Sequence, residues 1–344
     1  MKQRWSIDRY HHERRDLQID VQNYLLARLR GREPRGGASI FNGCSLDELR
    51  ILTLSPGTQH LAGTSSDFVV ALTDAVTVLV GERYHATEAA YRSLSSPIRF
   101  NSTRQATIVR PGEFPSLQLV GEGGEVTQAV PPDGGERITL LRYARIYSLT
   151  SVAIANDDAG ALSLIIQQAA DAVTFAENGV FFATLLSNAG AGPTLTDGTA
   201  YFHSSRGNLL SAAAISSTSL GTALAALRKQ SAPGGAKLNL RGRFLVCGPD
   251  AEGLAHAAVA ALTAPGSPGP LLDVLVDSNI TDTSWFVFAD PAIRPAFYRG
   301  FLNVDGPDIT RFDTFEVEGV SWKVRTTFGV APYDWRCVVR NPGA

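Results

Sequence analysis

The chain has 344 residues, of which 44% are apolar and 19% charged, a balance typical of a globular protein and not of a disordered one. Its formal net charge of −2 gives no general attraction for nucleic acid or for an anionic membrane, so either contact would need a local patch. The first residues lack the apolar stretch of a signal peptide, and no apolar run is long enough to predict a membrane span.

The three cysteines argue against a metal centre. Cys44, Cys247 and Cys337 are far apart in the sequence, form no CxxC pair and have no nearby histidines at metal-ligand spacing. We therefore expect free thiols, as in a reducing cytoplasm, and neither a metal nor another cofactor.

The N-terminal 35 residues combine a basic charge with one helical segment. They carry nine lysines and arginines against five acidic residues. Within residues 17–29, apolar Leu17, Val21, Tyr24 and Leu25 recur at helical spacing and predict a helix with one apolar face. This face needs a protein surface to cover it, and a neighbouring copy of the chain is one candidate.

A longer helix is predicted next. Ser65, Ser66 and Asp67 form a helix-start signal, and the helical pattern continues to about residue 94. Pro97 is expected to end it, because the residue before a proline disfavours helical geometry.

Residues 99–147 change to strand-like sequence. The pieces 106–109, 116–120 and 137–147 are separated by turn-rich segments, which predicts long antiparallel ribbons. The region has too few apolar residues for a core of its own, so we expect it to project and to bury its apolar side chains against another chain.

The second half predicts an α+β fold. Asn156, Asp157 and Asp158 provide a cap for a long helix over about 159–187, roughly 45 Å in length at 1.5 Å per residue. A hairpin-like segment follows at 196–208. Further helices are predicted at 217–230 and from a start signal at 249–252 through Leu262. Strands are predicted at 243–247, 272–276, 285–289, 310–317, 321–328 and 336–340.

Catalytic motifs are absent from the sequence. It contains no P-loop, GxGxxG, HExxH or GxSxG pattern. His11 and His12 are adjacent and would point in different directions on a helix, so they do not predict a metal site. We assign no catalytic, cofactor-binding or metal-ligating residue and expect a structural protein. The residues Trp285, Trp322 and Trp335 are expected to anchor a core or an interface.

Two groups of polar residues, each containing aspartate, could nevertheless be taken for active sites. Asp197, His203 and Ser204 would supply a hydrolase triad, although a triad is defined by its geometry and not by proximity in sequence. Asp157 and Asp158 could act as paired carboxylates, but a helix cap explains them fully. The structural interpretation is favoured for both.

Four segments carry a resemblance to a known family. They are NDDAGAL (156–162), DGTAYFH (197–203), FVFADP (286–291) and GVAPYDWRCVVRNPG (329–343). All four resemble segments of the Mu-like prophage major head subunits, in the family's order and roughly its spacing, and the resemblance covers about residues 64–344. It implies a tailed-phage major capsid protein with the α+β Hong Kong 97-type fold.

The resemblance also implies a domain organisation. It comprises an N-terminal arm (1–66), an N-terminal helix (67–98), an extended loop or β-hairpin arm lying across the adjacent subunit (99–147), a peripheral domain with a spine helix at about 159–187 (148–215), an axial domain (216–314) and C-terminal strands returning to the peripheral domain (315–344).

The implied function is self-assembly into an icosahedral shell around double-stranded DNA. The implied partners are further copies in hexamers and pentamers, portal and scaffold or decoration proteins, and DNA on the inner face, with no membrane. The protein would be assembled in the bacterial host cytoplasm and end in the virion. An encapsulin-like shell of the same fold is one alternative, and a hydrolase using Asp197, His203 and Ser204 is a more remote one.

Two further expectations concern the arms. Some shells of this fold are locked by lysine–asparagine isopeptide bonds, but residues 99–147 contain no lysine, so we expect a non-covalent shell. Residues 1–35 could dock on acidic patches of neighbouring subunits or face DNA. The apolar face of the helix at 17–29 favours docking on a neighbour, since DNA would not cover it.

Overall fold

The computed structural model describes residues 14–42, 49, 65–110, 134–150, 159–232, 235–263, 271–312 and 319–344. The helices are α1 (Arg14–Leu29), α2 (Ser65–Ala86), α3 (Ala90–Leu94), α4 (Ala159–Leu185), α5 (Ser217–Lys229) and α6 (Glu252–Leu262). The strands are β1 (Ser95–Phe100), β2 (Ala106–Arg110), β3 (Gly134–Ile138), β4 (Leu141–Thr150), β5 (Gly242–Cys247), β6 (Asp273–Val276), β7 (Trp285–Ala289), β8 (Phe297–Leu302), β9 (Asp308–Phe312), β10 (Gly319–Pro332) and β11 (Val338–Asn341).

The chain divides into two compact units, each assembled from separate stretches of sequence. Unit 1 takes residues 1–87, 142–174 and 306–326, and unit 2 takes residues 88–141, 175–305 and 327–344. Helix α4 and strand β10 contribute residues to both units.

Unit 1 has a core of helices packed on a sheet. Buried side chains come from α1, α2, the first part of α4 and β10, including Leu25, Leu72, Ile166 and Trp322. Strand β9 pairs antiparallel with β10, with Ser321 opposite Phe312 and Arg325 opposite Asp308. These apolar positions recur at helical spacing on each helix, so a single stripe of each faces the core.

Helix α1 covers its apolar face within its own chain. Val21, Tyr24 and Leu25 are buried in the unit 1 core, and Arg30 just beyond the helix forms an ion pair with Glu82 of α2. The expectation that this face docks on a neighbouring subunit is therefore wrong. Residues 14–29 belong to the body of unit 1 and not to a free N-terminal arm.

Helix α2 is shorter than predicted. It ends at Ala86, and α3 and β1 follow within residues 90–100. The Thr87 hydroxyl donates to the Arg83 carbonyl at 2.9 Å and to the Asp171 carboxylate at 3.1 Å. These bonds tie the end of α2 to α4, although the same hydroxyl-to-backbone bond at Thr77 leaves α2 unbroken.

Unit 2 is built around a four-stranded sheet in the order β11-β7-β5-β6. Strand β7 (Trp-Phe-Val-Phe-Ala) is buried at every position, as expected of a central strand covered on both faces. Its aromatic side chains pack with Phe181, Phe182, Tyr201 and Phe202 in the unit 2 core. The predictions for β5 and β7 match the structure to within a residue, and that for β11 is two residues early at its N-terminal end.

The second sheet has the order β1-β8-β10-β4, with β9 also paired to β10. Strand β8 was missed by the sequence prediction. Pro97 was expected to end a helix, but it lies inside strand β1. Because β1 is an edge strand of this order, the missing N–H of Pro97 removes no bond from a central ladder.

The base of the β-hairpin arm folds onto its own chain. Strands β2 and β3 pair antiparallel, and Ile108, Ile138 and Leu140 are buried with Ala331. A Cβ added to Gly300 would lie 2.7 Å from Ile138 Cδ1, which shows how closely the base packs on β8. The expectation that the arm buries its apolar side chains on another chain is wrong for this base, and residues 111–133, with the predicted strand at 116–120, lie outside the described residues.

Two sequence predictions for the middle of the chain are refined. The strand predicted over 137–147 is divided into β3 and β4, with a break at Thr139 and Leu140. Helix α4 has 27 residues and closely follows the predicted long helix, whereas its proposed caps Asp157 and Asp158 lie outside the described residues.

Candidate functional site

The triad suggested by the sequence is not assembled. The Asp197 carboxylate accepts from the Arg206 guanidinium at 2.6 Å and from the Thr199 backbone N–H at 2.9 Å, and it does not contact His203. His203 caps a short 3-10 helix, with its Nδ1 2.7 Å from Ser205 Oγ. Ser204 makes no side-chain hydrogen bond in the described chain. The geometry therefore supplies neither a base for Ser204 nor an acid behind His203.

A polar groove of about 850 Å³ runs beside α5. Its lining combines serine and threonine hydroxyls with Lys229, Arg206 and the Trp335 ring. Arg206 is almost fully buried, stacks 5.2 Å above the Trp335 ring and is neutralised by Asp197. The described lining thus pairs its buried arginine with a carboxylate, leaves the Arg206 Nη1 atom without a hydrogen bond, and brings together no acid–base pair.

A buried carboxylate organises the turn before β11. Asp334 is 0% exposed and forms ion pairs with Arg294 and with Arg336, the latter at 3.4 Å. Its side chain also accepts from the Arg336 backbone N–H at 3.1 Å and so caps the 3-10 helix Trp335–Cys337. This arrangement compensates a charge that would be costly to bury alone.

The two described cysteines, Cys247 on β5 and Cys337 before β11, are both buried and form no disulfide with each other. Burial raises the pKa of the Cys247 thiol to about 11, and the nearby Glu252 carboxylate acts in the same direction. A thiol with so high a pKa is a poor nucleophile at neutral pH. Cys44 lies outside the described residues.

Three of the four tryptophans lie in the described residues and act as anchors within the chain. Trp285 is fully buried and donates its indole N–H to the Ala213 carbonyl at 3.0 Å. Trp322 lies in the unit 1 core with its indole N–H 3.3 Å from the Thr73 hydroxyl. Trp335 stacks under the guanidinium of Arg206. The prediction of core anchors is confirmed for Trp285 and Trp322.

One face of the unit 1 sheet is cationic. Alternate residues of a strand point to the same face, so Arg142, Ile146 and Ser148 of β4 share one side. Ser148 Oγ lies 2.9 Å from Ser321 Oγ on β10, which places Lys323 on this side too. We call the exposed residues Arg142, Ile146 and Lys323 the β4 face.

The β4 face presents two charges that no described residue pairs. Arg142 and Lys323 are exposed, and neither forms an ion pair with another described residue. Arg325 of β10, by contrast, is paired with Asp308, with Nε 2.7 Å from the carboxylate. The Ile146 side chain on the same face is 53% exposed.

Large apolar side chains are also exposed elsewhere. Three such residues lie in unit 2. Phe175 of α4 is 69% exposed, Ile293 81% and Val304 68%. Exposed groups of this size mark surfaces that a partner can cover.

Among the described residues, no three or more histidine, cysteine or acidic side chains lie together so as to hold a metal ion. Within the same residues, none of the helices combines the length and the apolarity that crossing a bilayer requires. His11 and His12 lie outside this part of the chain.

Comparison with solved structures identifies the fold. The capsid of cyanophage P-SCSP1u matches with a TM-score of 0.53 at 12% identity, covering 75% of this chain and 88% of that one. The capsid of an empty GTA particle matches with a TM-score of 0.53 at 13% identity, covering 74% and 90%. Mycobacterium phage Adephagia matches with a TM-score of 0.50 at 10% identity, covering 75% and 91%.

Sequence comparison identifies the family. No curated protein matches this chain. A family model described as phage capsid protein matches residues 135–341. This range contains α4 and strands β10 and β11, and it fully contains three of the four segments that resemble the Mu-like head subunits. The fold class expected from the sequence, an α+β fold of the Hong Kong 97 type, is confirmed. The chain belongs to the phage capsid protein family.

Proposed function

We propose that this chain is the major capsid protein of a tailed phage or prophage, and that identical copies in pentamers and hexamers close into an icosahedral shell around double-stranded DNA. The observation that carries this proposal is the family match over residues 135–341, joined to a fold shared with solved capsids. Rings built from one chain need head-to-tail contacts, in which two different surfaces of the chain meet.

The exposed side chains support an assembling role. Phe175, Ile293 and Val304 lie on the surface of a single copy, where they leave apolar area in contact with water. Contact with neighbouring copies would cover this area and stabilise the shell by about 25 cal/mol per Å² buried.

The division of labour within the subunit follows the family organisation. Residues 216–314 would form the axial domain, residues 148–215 the peripheral domain and residues 315–344 the returning strands. Helix α4 would act as the spine, because its 27 residues make a rod of about 40 Å. The arm at 99–147 would reach a neighbour through its outer part only, since its base packs on its own chain.

Other partners belong to the same proposal. Portal and scaffold or decoration proteins would join the shell, and packaged DNA would lie on its inner face. Assembly would take place in the bacterial host cytoplasm and the product would be the virion. We infer that the chain has no catalytic role, since the Asp197 carboxylate is held by Arg206 and not by His203.

Electron microscopy of the purified full-length protein tests the proposal. We expect closed particles of uniform size, and in the native source DNA-filled particles with attached tails. Soluble chains that never form particles would contradict a shell function. Tail-less shells holding an enzyme in place of DNA would instead support the encapsulin-like alternative. A hydrolytic activity abolished by His203→Ala would overturn the structural role.

A further inference from the structure

Three arginines are buried in the part of the chain that the structure describes, and two of them have a partner. Arg206 and Arg340 are each 8% exposed, and Arg336 is 7% exposed. Arg206 pairs with Asp197 at 2.6 Å, and Arg336 pairs with Asp334 at 3.4 Å. The Arg340 guanidinium forms neither an ion pair nor a hydrogen bond with another described residue. Burying a cation without a partner is costly, so this side chain calls for an explanation.

Strand β11 holds Arg340 in a fixed position. The Arg340 backbone N–H donates to the Asn208 carbonyl at 2.8 Å, and the Arg340 carbonyl accepts from the Leu210 N–H at 2.9 Å. On the other edge of the strand, Arg340 lies opposite Phe286 of β7. The guanidinium lies against Gly190, where an added Cβ would collide with Nη2. Gly190 also has a φ of +84°, which favours glycine, so the chain leaves room for this charge at a defined place.

The accessible part of the guanidinium is its tip. The Nε atom is closed off from solvent and makes no hydrogen bond. The Nη1 and Nη2 atoms make no hydrogen bond with a described residue either, but they still reach solvent. Two nitrogens at the end of a guanidinium present parallel N–H groups, which match the two oxygens of a carboxylate.

The charges around Arg340 compensate it only in part. Burial lowers the pKa of the Arg340 guanidinium, and the Asp282 carboxylate opposes this shift without forming an ion pair. Asp282 itself accepts from the Ser284 hydroxyl at 2.6 Å. Helix α4 ends at Leu185, shortly before Gly190, and the C-terminal end of a helix favours a nearby cation. Neither group accepts a hydrogen bond from the guanidinium, so the site lacks an acceptor.

We propose that Arg340 forms a carboxylate-binding site, which an acidic side chain of a second copy fills when the shell assembles. This inference rests on the proposed shell function and names a residue on which assembly depends. Where an interface excludes water, a bidentate pair of this kind is strong and fixes the register of the two copies. Candidate donors are the exposed acids Asp74, Glu88 and Asp250, which form no ion pair with another described residue.

DNA and small anions are the competing ligands. DNA binding depends on many phosphates at once, whereas Arg340 is a single recessed cation with the exposed Asp282 near it. A rigid duplex does not enter such a recess, but the carboxylate at the end of a slender aspartate or glutamate side chain does. A free anion such as phosphate also fits, and experiment has to separate it from a protein carboxylate.

Replacing the charge by an apolar chain of similar length tests the site, because the two expected effects have opposite signs. Arg340→Met should raise the melting temperature of the unassembled chain by about 2–4 °C, since it removes an uncompensated buried charge. It should also lower the yield of particles about tenfold or more, since the carboxylate of the neighbour is then buried without a partner. A lower melting temperature would show that Arg340 is compensated within its own chain, and a normal yield would show that no neighbour uses it. Either result would overturn the proposal.

Arg206→Met is the matched control, because its guanidinium is equally buried but is paired with Asp197. This variant should lower the melting temperature of the unassembled chain. Inorganic phosphate provides the test for a free anion. If phosphate raises the melting temperature of the wild type but not that of Arg340→Met, and this variant assembles normally, the site takes an anion from solution and the proposal is wrong.

Carbodiimide coupling identifies the carboxylate. Arg340→Lys keeps the charge and supplies an amine, which a carbodiimide joins to a carboxylate in contact with it, with the loss of one water. Treated particles of this variant should give dimers on a denaturing gel, joined between position 340 and an acid of the second copy. Wild-type particles should lack this junction, because a guanidinium is a poor nucleophile. Particles of Arg340→Lys whose position 340 is joined only within its own chain, or not at all, would overturn the proposal. A wild type that forms no particles would instead refute the proposed function.

Discussion

The buried Asp334 cluster makes a quantitative prediction. Asp334→Ala removes a carboxylate that is 0% exposed and leaves the guanidinium of Arg336, itself 7% exposed, without its partner. Breaking a buried ion pair by deleting one member costs about 3–5 kcal/mol. The variant also loses the cap of the 3-10 helix Trp335–Cys337. We therefore expect the free energy of unfolding to fall by about 3–5 kcal/mol, which is a large part of the stability of most domains.

Chemical denaturation of the unassembled chain, followed by tryptophan fluorescence, measures this loss. Asp308→Ala is the matched control, because it deletes the same side chain from an exposed pair with Arg325 and should cost about 0–1 kcal/mol. Asp334→Asn keeps an acceptor for the backbone N–H of Arg336 and should fall between the two. An Asp334→Ala variant that loses no more than Asp308→Ala would refute the role assigned to the buried cluster.

Three further predictions follow from the described contacts. Leu25→Ala should destabilise unit 1 by about 2–5 kcal/mol with or without DNA, whereas the exposed Ile19→Ala should have little effect, and denaturation of both variants provides the comparison. Burial raises the pKa of the Cys247 thiol from 9.0 to about 11, so this thiol contributes its full stabilisation below pH 9.0 and loses it as the pH rises toward about 11. The melting temperature should therefore fall less over this pH range in Cys247→Val than in the wild type. Assembled shells should run as monomers on a reducing denaturing gel, because residues 99–147 offer no lysine for an isopeptide bond, and a ladder of larger species would contradict this.

Local periodicity predicted the elements whose burial pattern is regular. The helical spacing of Ile166, Val173 and their neighbours gave α4 to within two residues at its C-terminal end. The unbroken apolar run of β7 predicted a strand, and every position of it is buried. In these elements the residues themselves carry the signal, since one face or both faces are apolar throughout.

Elements that depend on distant partners were not predictable in the same way. Helix α2 ends at Ala86, where Thr87 bonds to Asp171, a partner 84 residues away. Strand β8, which carries the half-buried Arg299, was missed. The Arg299 guanidinium is satisfied by the carbonyls of Arg92 and Ser95 at 2.8 and 3.1 Å, and no local pattern reveals such partners.

The arms show the same limit in a different form. The sequence identified apolar faces that lacked a local core, at residues 17–29 and 99–147, and another copy was the partner it favoured. For α1 and for the base of the hairpin the covering surface is in the same chain, on α2 and on β8 respectively. Amphipathicity predicts that a face is covered, and it does not say by which chain.

Strand β10 has a consequence for how the protein folds. It is paired with β8 at residues 328–332 and with β9 at residues 321–325, and its residues are shared between both units. Parallel pairing of β1 with β8 adds contacts across about two hundred residues of sequence, for example between Ser95 and Phe297. Pairings so distant in sequence form slowly, because a long loop must close first. The sheet that contains β10 cannot be completed before these distant segments meet, so we expect its formation to be a slow step of folding.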